Sequence, residues 1–276
     1  MNEEFKGDYL GFSFNGKHSS DFGIVRTSSG SRFEQKMTPT MKDKTVDKPN
    51  NDGQYYVGTT HTKADISVPF AFDNMTEEQY QSFRRWVTDK NILRLVFDED
   101  EKLKGYYMAK ITGNATLKHL AFVEGGARIY KGDGSITFSC LNPYKMIDGV
   151  EAFDANNKII EFNNDGVVDT LPIIKLNKPL RVGARLIVTQ NALPIATLII
   201  PGLDLARDET NLVIDCINGL VVGANSNFAY SNNVYNDYYD GAFPSFSKNA
   251  TTSLALAFEN SEEPVNATIE YTKFYL

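Results

Sequence analysis

Phe12-Ser-Phe-Asn-Gly-Lys-His-Ser-Ser-Asp-Phe-Gly-Ile24 is the stretch that decides how the rest of the chain is read. Asn15-Gly16 is a two-residue hairpin signal, because both positions tolerate the positive φ that a type I′ turn demands. Phe12 and Phe14 stand two apart, so a strand points both rings to one face. Ser19 to Gly23 reads as a second, looser turn, with Gly23 able to take backbone angles closed to other residues. Alone, the stretch predicts a β-hairpin opening an all-β or α+β domain.

Outward from that hairpin, 276 residues suffice for two domains with their own cores or for one large β domain. Hydrophobic residues make up 42% and charged ones 23%, the balance of an ordinary globular protein. Aromatics, at 12%, favour the pleated, half-buried surfaces of sheets. The net charge of −7 argues against general nucleic-acid binding, which needs a basic face. Charge is divided unevenly: residues 1–147 carry 20 Lys+Arg against 19 Asp+Glu, and residues 148–276 carry 8 against 16. The halves therefore stand at +1 and −8, which argues for two separately built units. Cys140 and Cys216 are the only cysteines and have no metal or redox spacing, so they read as small apolar side chains. The N-terminus lacks the apolar core of a signal peptide, which predicts synthesis in a cytoplasm. Apolar runs such as Ala196-Thr-Leu-Ile-Ile200 are too short to span a bilayer, which predicts no membrane insertion.

Residues 26–65 are polar and turn-rich, with short strands expected around Phe33 and Tyr55-Tyr56-Val57. A strand follows over 64–72, with Ile66, Val68 and Phe70 on one face. The strongest helix start is Met75-Thr-Glu-Glu-Gln-Tyr80, where Thr76 caps the free amides and Gln79 completes a capping box. Tyr80, Phe83 and Val87 then form a stripe that Trp86 widens, and the helix ends near Lys90-Asn91. One amphipathic helix among strands must lie across a sheet or the open end of a sandwich. Strands over 92–97 and 106–112 pair antiparallel, joined by Asp98-Glu-Asp-Glu-Lys-Leu-Lys-Gly105, a solvated charged tip that blunts the hairpin end. Gly125-Gly126 turns another hairpin between 117–122 and 127–131, which Gly132-Asp-Gly134 ends. An alternating strand over 135–140 then stops at Asn142-Pro143-Tyr144.

The domain boundary is placed at about Ile147, giving domains 1–147 and 148–276. Beyond it no segment has helical periodicity. Short strands recur over 158–162, 171–176, 185–188, 195–200, 212–216, 220–222, 254–258 and 267–271, separated by turn clusters such as Asn163-Asn-Asp-Gly166. That spacing is the pattern of a β-sandwich or jelly roll.

These motifs and their order resemble the distal tail protein (Dit) family of long-tailed phages and prophages. Phe14-Asn15-Gly16-Lys17-His18-Ser19 followed by Asp21-Phe22-Gly23-Ile24 looks like the family's opening, and Asn51-Asp52-Gly53 before Tyr55 looks like its glycine turn. Helix, strand, acidic tip and Tyr-rich return strand come in the family's order, and Asn142-Pro143-Tyr144 resembles the finish of its ring domain. Leu171-Pro-Ile-Ile-Lys-Leu176, Leu212-Val-Ile-Asp-Cys216 and Gly241-Ala-Phe-Pro244 look like landmarks of its second domain, so the resemblance covers nearly the whole chain.

The resemblance implies a mainly β protein. Its N-terminal domain is α+β, β-sandwich-like with one helix and hairpins, and its C-terminal domain is a galectin-like sandwich similar to carbohydrate-binding modules. It implies a structural hub without catalysis: a hexameric ring at the virion tail tip, joining the tail tube to the host-adsorption apparatus. The implied partners are further copies of the chain, the tail tube protein, and a tail-associated lysin, tail fibre or receptor-binding protein. Some members carry a long insertion in the second domain that holds receptor-binding proteins; its absence here favours a plain hub.

Chemistry-bearing residues form few patterns. His18, His61 and His119 are too scattered for a local metal motif. There is no nucleophile elbow, Cys–His signature or phosphate-binding glycine loop, so no catalytic, cofactor or metal residue is predicted. Asp98-Glu-Asp-Glu101 lacks the spaced ligands and central glycine of an EF-hand loop. The stretch that stands out runs from Phe228 to Phe246, with seven aromatics interleaved by Asn, Ser and Asp. Exposed Tyr rings stack on sugar faces and anchor protein interfaces at low entropy cost. Three readings stay open: a loop folding its own aromatics onto the sandwich, a protein interface, and a sugar site. Tyr230, Tyr235, Tyr238 and Tyr239 are the candidate partner or glycan surface, and a carbohydrate-binding protein is the alternative function.

Overall fold

The computed structural model describes residues 11–27, 41–49, 52–101, 104–112, 115–154, 159–177, 184–190, 193–200, 209–235, 239–258 and 266–275. Over these residues the chain is mainly β, with strands in antiparallel pairs and one α-helix longer than a single turn. Contacts divide it into two units, the chain up to Lys145 and Met146–Tyr275.

In the first unit the opening stretch forms the expected hairpin. Phe12–Phe14 pairs with Lys17–His18. Asn15 and Gly16 take φ values of 54° and 67°, the two positive angles of a type I′ turn. Ser19–Phe22 winds into a 3₁₀ turn capped by His18. Phe12–Phe14 also runs antiparallel to Leu93–Phe97, which pairs with Gly105–Ile111, which in turn meets the end of Ala127–Cys140. Ala127–Cys140 pairs along most of its length with Ala64–Thr76, and Ile24–Arg26 lies on that strand's other side.

The helix Glu77–Val87 begins as the capping box dictates: Gln79 N donates to Thr76 Oγ1 at 3.2 Å, and Thr76 N donates to Gln79 Oε1 at 3.0 Å. Its apolar stripe covers the sheet. Phe83 and Trp86 are buried, with Trp86 against Phe12, Phe14 and Phe22, and Phe83 against Phe22 and Phe70. Trp86 Nε1 donates to Phe14 O at 2.9 Å, which locks the opening hairpin beneath the helix.

The structure departs from two sequence expectations. Ala127–Cys140 is one continuous strand, and Gly132 and Gly134 lie inside it. A register shift between Tyr130 and Gly132 takes up the irregularity, so glycine marks a bulge rather than an end. The acidic run is no solvated tip: Asp98–Glu101 makes one helical turn, and three of its acids are paired. Asp98 binds His18 at 3.0 Å and accepts the Gly11 amide, while Glu99 binds Arg26 and Asp100 binds Lys145, both at 2.7 Å. The polar segment Met41–Asp47, which has no strand periodicity, pairs with Gln54–His61 as a hairpin. The strand expected around Phe33 lies outside the described residues.

Met146–Tyr275 holds two facing sheets. One orders Tyr230–Val234, Leu220–Ala224, Asn211–Asp215, Ile173–Leu176 and Asn266–Tyr275; the other orders Ile159–Asn164, Ala250–Phe258, Ala184–Gln190, Leu193–Ile200 and Asp240–Gly241. Alternate residues from both sheets, among them Ile174, Leu176, Leu198, Ile200, Leu212, Ile214, Leu254 and Ile269, fill a common core. That is the layering of a β-sandwich.

Candidate functional site

The aromatic segment of the second unit is bound down by buried carboxylates. Among the described residues Tyr230–Val234 is an edge strand, pairing with Leu220–Ala224. The Tyr230 hydroxyl donates to Asp215 Oδ2 at 3.1 Å, and Asp215 also accepts Asn218 N at 3.0 Å and Asn218 Nδ2 at 2.8 Å. Burial, and then the Asp215 charge, push the Tyr230 phenol up to about 12. Tyr235 OH donates to Glu209 Oε2 at 2.5 Å, and Ser231 Oγ donates to Glu209 Oε1. Glu209 is itself buried, and Gly223 makes room for it: a Cβ at Gly223 would stand 2.2 Å from Glu209 Cδ. Such a buried carboxylate is tolerated because hydroxyl donors replace its lost water.

Tyr239 is half-buried and meets Phe243 edge-on at 4.9 Å, and both pack against the sandwich core. Phe246 is fully buried, stacks on Phe162 at 4.3 Å, and exchanges two backbone hydrogen bonds with Thr170. The structure therefore brings Tyr230, Tyr235 and Tyr239 onto one sandwich, with two of the three hydroxyls engaged internally. Among them Tyr230 shows the most surface, at 46% exposure. Tyr238 lies outside the described residues.

In the first unit, one constellation has the order of a nucleophilic triad. Ser20 Oγ lies 2.6 Å from His18 Nδ1, and His18 Nε2 lies 3.0 Å from Asp98 Oδ1. Its hydrogen bonds show a structural task. Ser20 N donates to His18 Nδ1 at 3.3 Å and His18 N donates to Asp21 Oδ2 at 3.1 Å, a capping box for the 3₁₀ turn. With Nδ1 accepting, Nε2 carries the proton and donates to Asp98, tying the hairpin to the end of Leu93–Phe97. Ser20 stands exposed on the turn rather than in a cleft. Among the described residues, no cluster of three or more His, Cys, Asp or Glu could hold a metal ion. Cys140 and Cys216 are buried, and desolvation pushes both thiols up to about 12, which leaves them unreactive.

Sequence reasoning missed the most exposed apolar surface of the first unit. On the hairpin Met41–Asp47 and Gln54–His61, the side chains of Met41, Val46, Tyr55, Tyr56 and Val57 face solvent. Among the described residues Thr116–Glu124 pairs only with Ala127–Cys140, and it carries exposed Leu120, Phe122 and Val123. At its base His119 packs against Tyr80 and Tyr130, which stack on each other at 4.4 Å. The Tyr55-Tyr56-Val57 run was the available signal; an apolar run on both faces of a two-stranded hairpin has no core to enter.

Residues 8–130 match the family described as phage tail protein N-terminal domain. No curated protein matches by sequence. Among solved structures, the chain is similar to the Dit protein (gp 19.1) of phage SPP1, described as a paradigm of the hub adsorption apparatus in phages infecting Gram-positive bacteria. The TM-score is 0.65 at 12% identity, over 97% of this chain and 99% of that one. A second match is to the baseplate of phage P2 in its calcium-activated conformation, with a TM-score of 0.49 at 7% identity over 95% of this chain and 97% of that one. At 12% identity the likeness to the SPP1 protein is one of fold.

Proposed function

We propose that this chain, a Dit-like phage tail component, is the structural hub that forms a ring, a hexamer, at the tail tip and joins the tail tube to the host-adsorption apparatus. In this reading residues 1–147 tile the ring, and 148–276 form a galectin-like sandwich that faces outward toward a tail-associated lysin, tail fibre or receptor-binding protein. The chain is made in the bacterial cytoplasm and works in the virion without catalysis. One observation carries the reading: the first unit exposes apolar side chains on two hairpins whose outer strands, among the described residues, have no further neighbour. Such edges are liabilities in a monomer and templates for pairing in an assembly. A cyclic array buries every edge but leaves none over.

The test is the mass of the purified chain, alone and with its tail tube protein, by native mass spectrometry and electron microscopy. Closed rings are expected, and Tyr56→Asp with Val57→Asp should abolish them while the protein stays folded. Rings that survive those charges would show that the hairpin is not a ring contact. A second reading, glycan binding at Tyr230, Tyr235, Tyr238 and Tyr239, draws on the exposure of Tyr230. A glycan array with a Tyr230→Ala control decides it.

A further inference from the structure

We propose that the far end of the helix Glu77–Val87 carries a socket for the tip of the Thr116–Glu124 hairpin of a second copy, with Glu124 as the inserted anion. The proposal rests on the ring reading above and names its contact.

The socket is a hollow of about 300 Å³ lined by Asn15, Lys17, Ser82, Arg85, Trp86 and Asp89. It is preformed. Trp86 is held by its bond to Phe14 O, and the Asn15-Gly16 turn is held over it by Asn15 Nδ2 donating to Asp89 Oδ2 at 3.0 Å. Preformed walls spare the ordering cost of association. Its charge is positive on balance. Asp89 has both oxygens engaged, the second by Asn91 N at 2.9 Å. Lys17 and Arg85 are exposed, and among the described residues neither forms an ion pair. Arg85 spends only Nε on its own helix, at 3.3 Å from Gln81 O. An aromatic wall beside two cations and one carboxylate, with Lys17 Nζ also 5.9 Å over the Phe22 ring, suits a ligand that is apolar on one side and anionic on the other.

The hairpin tip has that composition. Glu124 is exposed, stands opposite Ala127 across the Gly125-Gly126 turn, and among the described residues forms no ion pair. Val123 beside it is exposed as well. The complementarity is of the kind that sets register and partner choice.

The strand register argues against a copy filling its own socket. Tyr130 OH donates to Glu77 and Tyr80 stacks on Tyr130, so the hairpin leaves the sheet at the first turns of the helix. Its tip lies beyond that end. The helical lining of the socket, Ser82, Arg85 and Trp86, lies about 8 to 14 Å along the helix from Glu77, in the other direction. A contact between two unlike patches is heterologous, and such contacts close into rings when the rotation allows.

The experiment uses the full chain. Glu124→Cys and Ser82→Cys are prepared separately, checked for native Trp86 emission, mixed where the wild type assembles, and oxidised. Cys140 and Cys216 are buried and stay out of the exchange. A disulfide-linked dimer is expected in the mixture and in neither variant alone. Lys17→Glu with Arg85→Glu should weaken assembly by about tenfold or more, and adding Glu124→Arg should restore it. Glu124→Cys crosslinking to itself, no crosslink in the mixture, or assembly indifferent to the charge reversal overturns the socket while leaving the ring intact. A wild type that stays monomeric, alone and with the tail tube protein, overturns both.

Discussion

Phe12→Ala is the sharpest test of the claim that the opening hairpin is the centre of the first unit. Phe12 is fully buried, with the rings of Trp86, Phe97 and Phe138 at 5.8, 6.4 and 5.7 Å. Truncating a buried Phe to Ala costs about 3–5 kcal/mol, the sum of lost transfer free energy and the cavity left behind. The upper half of that range applies, because three aromatic neighbours held by a helix and two strands relax poorly into the gap. Trp86 is the only tryptophan of the chain and belongs to the same core, so its emission follows this unit alone. With a urea dependence of about 2 kcal/mol per molar for a unit of this size, a loss of about 4 kcal/mol lowers the unfolding midpoint by about 2 M. A fall of less than about 0.5 M, at unchanged slope, would refute the placement of Phe12 at the core's centre.

Gly223→Ala should destabilise the second unit by about 1–3 kcal/mol and loosen Tyr230–Val234, because the new methyl must displace the Glu209 carboxylate from its hydroxyl donors. Calorimetry measures the loss, and an unchanged melting temperature would show that Glu209 is not fixed there. Asp100→Ala leaves the Lys145 ammonium without its partner in a site where side-chain exposures are 10% and 18%. The expected cost is about 2 kcal/mol, below that of a fully buried pair, with Asp100→Asn milder; equal stability of the two variants would count against the ion pair. Tyr230, Tyr271 and Tyr275 are pushed up to about 12, mainly by burial and then by Asp215, Glu151 and Asp165 respectively. The folded unit therefore keeps protons that the unfolded chain releases above about pH 10. Stability from these groups is fully present below that pH and is lost as pH rises toward 12. Ultraviolet titration of tyrosinate should show a late-ionising group of tyrosines that merges with the rest in denaturant, and a single transition in the folded protein would contradict it.

What was legible in advance obeys rules that act over a few residues. The Asn15-Gly16 turn follows from which side chains tolerate positive φ, and the helix start follows from the reciprocal bonds of Thr76 and Gln79. The alternation of Ile136, Phe138 and Cys140 placed a strand because side chains on a pleat change face at every residue. Each needs only its own neighbours, so the amino-acid order determines it and, through it, the mainly β build. Tertiary structure decided the partners. Asp98, Glu99 and Asp100 looked like a solvated tip because His18, Arg26 and Lys145 stand far off in the chain, and only the sheet order brings them together. The same holds for the candidate surface: the sequence left Tyr230 and Tyr235 open between a packed loop, a protein interface and a sugar site, and only the fold brings Asp215 and Glu209 from neighbouring segments to take their hydroxyls. Met41–Asp47 carries no periodic signal since neither face enters a core, and the Lys17–Arg85 hollow exists only where a hairpin turn closes over a helix end. Local backbone preference is encoded residue by residue; which charges and rings meet depends on long-range topology.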